Sequence, residues 1–322
     1  MWPETSSTAF VTSLKLIETD VYRIGGPILI LLGTISCLFS CMIFRQKNLR
    51  KNPCTIYFWS FNLSNFLLIY LSLFPIMLEK GYHVKSIPFN LIYCRLHVYI
   101  LLLFDCLSSF YLTLASIDRM YITSPNAKVR RISNTRFAYK SIIIGTLFWM
   151  IFCSHALIFR EIIPSTTNYI TCFFKPSIYL IYLAYYSLIK GIVMPFLMIL
   201  FGLLAIKNIR RLRRNAAIIV TNGRSNSHVP SSKDRKLIYM VLMNIIVYVL
   251  FDSIMTACLM YGQITQYHIK SDLQKQKHIL LRSIVAFCLY IRFCICGYIN
   301  ILVSKTVHRQ KRNIYLQRRI IL

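Results

Sequence analysis

Acid is scarce in this 322-residue chain: ten Asp and Glu stand against 38 Lys and Arg, a formal net charge of +28. Polar surface is scarce as well. The composition is 56% hydrophobic and 14% aromatic, and the mean hydropathy is positive. A soluble fold of this length needs far more polar surface than that. The sequence has no Cys-x-x-Cys pair and no His/Cys cluster at zinc spacing, so no metal site or cofactor is expected. No Ser/His/Asp constellation and no paired carboxylates stand out, so an enzyme is disfavoured. There is no internal repeat and no matching pair of Gly/Pro-broken spans, which argues against a transporter or channel. The first 22 residues, with Glu4, Glu18 and Asp20, lack a continuous apolar core. No cleavable leader is therefore expected, and the first apolar run should itself direct insertion.

What the chain does have is apolar runs of about 20 residues joined by short charged links, the pattern of a polytopic helical membrane protein. Seven spans are expected, at 24–44, 55–78, 91–117, 139–159, 182–206, 237–261 and 279–303. The link after the first carries Arg45, Lys47, Arg50 and Lys51, and the link after the fifth carries Lys207 to Lys236. Together with the link after the third, the tail, and Lys140 at the start of the fourth span, they place 25 basic residues on one side and nine on the other. The positive-inside rule then puts residues 1–23 outside and the tail 304–322 in the cytoplasm of a plasma-membrane protein. It also accounts for the charge through anionic lipid, without a nucleic-acid partner. Most cysteines lie inside the apolar runs as small fillers. The stretch 222–234 reads as a flexible cytoplasmic loop whose Ser225, Ser227, Ser231 and Ser232 follow basic residues. The sequon Asn62-Leu63-Ser64 falls inside the second span and should carry no glycan. The tail alternates basic and apolar residues, as a short amphipathic helix on the inner leaflet does.

The third run is the most informative. Cys94 opens it, Asp118-Arg119-Met120 closes it and Pro125 follows. From Cys94 to Arg119 is 25 residues, about 37 Å of helix and one bilayer with its interfaces. Trp149 lies in the fourth span, Cys172 in the link after it and Pro195 in the fifth span. In this order and spacing the chain resembles the rhodopsin-like G-protein-coupled receptors from about residue 26 to 308. The resemblance implies an all-α seven-helix bundle, a Cys94–Cys172 disulfide and an Asp118–Arg119 latch that releases Arg119 to a heterotrimeric G protein.

The departures from that family are many. Its first-span Asn falls on Cys37, its second-span Asp on Asn65, and its sixth-span Trp-x-Pro on Asp252-Ser253-Ile254. Its seventh-span Asn-Pro-x-x-Tyr falls on Cys296-Gly297-Tyr298-Ile299-Asn300, and Asp-Arg-Tyr has become Asp-Arg-Met. Activation mechanics therefore do not carry over wholesale. A seven-span protein that has lost coupling is the alternative.

Ionisable groups inside spans are costly and default to a functional reading. Asp105, Asp252 and Arg292 should converge at the floor of the family's ligand cavity, with Arg292 paired to Asp252, Asp105 or both. The cluster either holds helices together or receives a charged ligand group. Arg95, His97 and Arg282 lie near the outer mouth, and Lys190 could face the cavity. Leu101 stands where an amine receptor has its Asp, and the middle of the seventh span lacks the retinal lysine of opsins. A peptide ligand remains by exclusion.

Overall fold

Asparagine starts four of the helices. In a computed structural model describing residues 4–45, 52–84, 90–164, 170–174, 178–221, 232–265 and 272–321, Asn52, Asn90, Asn126 and Asn134 each take up extended backbone. Each accepts a backbone N–H from the turn that follows. Such a cap is worth about 1 kcal/mol. Between the caps, apolar sequence runs on as helix, and seven helices are long and apolar enough to cross a membrane. These spans are Thr12–Phe44, Pro53–Tyr82, Leu91–Ile122, Thr135–Ile158, Lys190–Leu212, Asp234–Gly262 and Gln276–Val303.

Several helices outrun the expected spans. The first begins at Glu4 and continues through one π turn, Val21–Gly25, into Gly26–Phe44. Its polar N-terminal part, expected to lie outside the first span, is therefore helical. A second π turn, Ile69–Leu73, interrupts the second span just before Pro75. Proline has no N–H to donate, and the wider turn absorbs the broken ladder. The seventh helix runs unbroken from Asp272 to Ile321. The tail expected as a short amphipathic helix is helical here, and its backbone continues the seventh span, with no Gly or Pro after Gly297 to break it. The side chains of 304–321 lie outside the described residues.

The third span is central and packs against the second, fourth, fifth and sixth. Its Leu103, Leu107, Tyr111 and Leu112 meet Phe58 and Phe61 of the second span, Trp149 of the fourth, Met198 of the fifth and Tyr248 of the sixth. Apolar side chains also face outward, Ile144, Ile151, Leu203 and Ile246 among them. This is the pattern of a bundle solvated by lipid. The first and seventh spans approach so closely at Gly297 that a Cβ there would lie 2.1 Å from the Ser36 carbonyl oxygen. The Gly297 N–H donates to Ser36 Oγ at 2.9 Å.

A two-stranded antiparallel hairpin breaks the all-helical pattern in the link between the fourth and fifth spans. Strand β1, Arg160–Pro164, pairs with β2, Ile170–Phe174, placing Ile162 opposite Cys172. Of the stretch expected as a loop, residues 222–231 lie outside the described residues. Asn62 of the sequon is buried within the second span and donates to the Phe58 carbonyl at 2.7 Å.

Candidate functional site

Both ends and the middle of the third span carry polar constellations. At the end opposite Cys94, Arg119 is 1% exposed. Its neighbour Asp118 bonds it through Oδ2, by Nη2 in a short contact and by Nε at 3.2 Å. Arg119 Nη2 also donates to Asn52 Oδ1 at 2.7 Å, and Nη1 reaches Asp234 Oδ1 at 3.4 Å. Asn52 Nδ2 donates to the same Asp234 oxygen at 3.4 Å. The guanidinium therefore ties the second, third and sixth spans together. Its planar fork can serve three acceptors at once, as a lysine ammonium could not in this geometry. On its other oxygen, Asp118 accepts the Ser133 hydroxyl at 2.5 Å.

The sequence singled out Asp118 and Arg119 and missed the rest. A signal existed for each. Asn52 precedes Pro53, the arrangement of a helix cap before an N1 proline. Asp234 is, with Asp118, one of two acidic residues among the charged links on its side of the bundle.

Midway along the third span, Asp105 holds two cations. Arg292 Nη2 donates to Oδ1 at 2.7 Å, and Lys190 Nζ makes a short contact to Oδ2. Arg292 Nη1 lies 3.6 Å from Asp252 Oδ1, an ionic contact with no hydrogen bond. The rings of Tyr248 and Phe293 flank the guanidinium at 4.4 and 4.3 Å from its carbon. So Arg292 meets both carboxylates, the closer one being Asp105. Lys190, marked in the sequence only as a group that could face the cavity, completes a neutral set of two cations and two anions. Buried charge persists when it is paired in this way. Among the described residues, no group of His, Cys, Asp and Glu is arranged to hold a metal ion.

At the Cys94 end, Cys94 is disulfide-bonded. The side chain of Cys172 lies outside the described residues. His97 places a ring nitrogen 3.3 Å from the Ser72 carbonyl in the second-span π turn, and Ser72 Oγ meets Tyr290 Oη at 2.8 Å. Leu101 packs against the apolar cluster of Leu68, Leu73, Tyr290 and Phe293. Beyond them Lys80 bonds Glu18 at 2.6 Å and Ser283 at 2.8 Å, which joins the first, second and seventh spans.

Seven apolar helices with a buried Asp-Arg pair at one end of the third and a disulfide-bonded cysteine at the other form a specific combination. Residues 37–295 match the family described as 7 transmembrane receptor (rhodopsin family). The chain belongs to that family. A comparison with curated proteins finds no match.

As a rhodopsin-family receptor it is a multi-pass membrane protein, and its core is polar at three of the positions the sequence marked as departures. Asn65, expected at the family's second-span Asp position, accepts the Ser108 hydroxyl at 2.7 Å. Asn300, expected at the seventh-span Tyr position, accepts from Asn244 Nδ2 at 3.0 Å. Asp252, expected at the toggle Trp position, lies 3.6 Å from Arg292 Nη1.

Proposed function

We propose that this receptor passes an extracellular signal to a heterotrimeric G protein across the plasma membrane, with its N-terminus outside and its tail in the cytoplasm. The observation that carries the reading is the Arg119 lock. One buried guanidinium is shared among Asp118, Asn52 and Asp234, so a displacement of the sixth span must release Arg119 from one acceptor. Asp118 and Arg119 are then the coupling pair, and a ligand acts by favouring the state in which the lock is open. The ligand is a peptide by exclusion. It enters between the outer halves of the spans, below a Cys94–Cys172 bond, and reaches toward Asp105, Lys190, Arg292 and Asp252. Among the described residues Arg292 Nη1 has no hydrogen-bond partner, and it is the group a ligand acceptor would satisfy.

The test is a nucleotide-exchange assay with a panel of purified G proteins, comparing the wild type with Arg119→Ala. Basal or peptide-stimulated exchange on at least one G protein, lost in the variant, is expected. Equal exchange in both across the panel would sink the coupling role.

A further inference from the structure

The lock has a chemically modifiable member. Ser133 donates its hydroxyl to Asp118 Oδ1 at 2.5 Å, while Asp118 Oδ2 holds Arg119. Both oxygens of the lock carboxylate are therefore in use, one of them by a serine. That serine sits in the sequence Arg130-Arg131-Ile132-Ser133, with two arginines at positions −3 and −2, the cationic pattern that basophilic serine/threonine kinases read. It follows the six-residue helix Ala127–Ile132 and precedes Asn134, the cap of the fourth-span helix. A helix of six residues has little stability of its own, so the segment can open into the extended form a kinase groove requires. Arg131, Ile132 and Asn134 are exposed and Ser133 is half-buried. Arg130 bonds the Ser124 and Pro125 carbonyls at 3.0 and 3.1 Å and steadies the link.

We propose that Ser133 is a phosphorylation site for a basophilic kinase and that its phosphate opens the Asp118–Arg119 lock. In the transfer, Ser133 Oγ attacks the γ-phosphorus of Mg-ATP. The Oγ–P bond forms, the bond from that phosphorus to the bridging oxygen breaks, ADP leaves, and the hydroxyl proton passes to the kinase base. The product carries nearly two negative charges at neutral pH and no proton to donate. Where a hydroxyl bridged to Asp118, two anions now face each other. Asp118 loses its anchor, and the phosphate turns toward Arg130, Arg131 or Arg119 itself, each of which can pair with it. Reciprocity follows. The closed lock engages the hydroxyl, so the kinase acts on the open state, and whatever opens the lock speeds phosphorylation.

The effect on signalling rests on the coupling role proposed for Arg119, but the phosphate and the opening of the lock do not. A natural reporter separates them. Cys54 is fully buried, and its backbone N–H shares the Asn52 Oδ1 acceptor with Arg119. The full-length receptor in lipid nanodiscs is treated with Mg-ATP and the catalytic subunit of the cyclic-AMP-dependent kinase as probe. Phosphate is mapped by peptide mass spectrometry, and Cys54 alkylation by N-ethylmaleimide is followed over time. We expect phosphate on Ser133, and alkylation of Cys54 about tenfold faster in the phosphorylated protein, the scale set by losing one charge-assisted hydrogen bond. Comparing one wild-type preparation before and after treatment avoids any variant that fails to fold. Ser133→Thr should keep both responses. No phosphate at Ser133 overturns the site, and phosphate with unchanged Cys54 alkylation overturns its action on the lock. Faster alkylation without any G-protein exchange supports the switch and removes the coupling partner instead.

Discussion

Removing the Asp105 carboxylate should damage this receptor more than removing that of Asp252, and a second substitution should repair the damage. The ion set is neutral: Lys190 and Arg292 against Asp105 and Asp252. At an effective dielectric near 20, unit charges at the Arg292–Asp105 distance of 2.7 Å attract by about 6 kcal/mol, and at the Arg292–Asp252 distance of 3.6 Å by about 5 kcal/mol. Per contact the two carboxylates differ little. What separates them is that Asp105 bonds two cations directly, whereas Asp252 makes only the longer contact to Arg292 and acts on Lys190 from a distance. Asp105→Asn therefore takes from Lys190 its direct ion-pair partner and leaves Arg292 with only its longer contact. Losing one partner of a buried pair costs about 3–5 kcal/mol, and that range is expected for Asp105→Asn. Asp252→Asn should cost about half as much, since Arg292 keeps its hydrogen bond to Asp105. Adding Lys190→Met to Asp105→Asn restores neutrality with an apolar side chain of similar length, and most of the lost stability should return. The measurement is the fraction of detergent-solubilised receptor that stays monodisperse on size exclusion after graded heating, with surface expression alongside. If the double variant is no more stable than Asp105→Asn, the ion set is not held by charge balance and the reasoning fails.

Other variants probe separate contacts. Gly297→Val should abolish surface expression, because the first added carbon already meets the Ser36 carbonyl at 2.1 Å and overpacking of this kind costs about 1–3 kcal/mol or more. Cys94→Ser should lower the stability of the purified receptor by about 2–5 kcal/mol, and an equal loss from Cys106→Ser in the same heating assay would contradict a special role for Cys94. Asp234→Asn should raise basal nucleotide exchange while Glu18→Gln leaves it unchanged, since only the first weakens the hold on Arg119. Glu18→Gln should also cost less than about 1 kcal/mol in stability, the lysine it pairs with being partly exposed.

The bundle was legible because lipid imposes one-dimensional rules. Each span must hide its backbone in helix and its side chains among apolar neighbours, and both demands appear as runs. Hence the seven spans, and the depth of Asp105, Asp118 and Arg119 along the third, follow from counting residues. Pairing is a different matter, because it depends on rotation and register between helices far apart in sequence. Asp252 and Arg292 were readable as members of a set, but the stronger claim of Asp105 on Arg292 was not, nor was the recruitment of Lys190 from the fifth span. Asn52 and Asp234 were hidden for a further reason. Each sits where a link becomes a helix, and capping and locking use the same residue types.

Those two boundary residues bear on how the sixth span is held. It is tied by polar contacts at three levels: Asp234 to Arg119 at 3.4 Å, Asn244 to Asn300 at 3.0 Å and Asp252 to Arg292 at 3.6 Å. The first and last are 18 residues apart, about 27 Å along the helix. Both are long contacts, whereas the same two arginines bond the third-span carboxylates Asp118 and Asp105 at shorter range. Each arginine is thus anchored on the third span and only loosely on the sixth. At these two levels a movement of the sixth span need break only the long contacts, leaving Arg119 and Arg292 charged and still paired where they stand. The penalty of a stranded buried charge, which would otherwise block such a movement, is avoided at both ends. A rigid brace would reverse the lengths, with its tightest contacts on the helix to be immobilised.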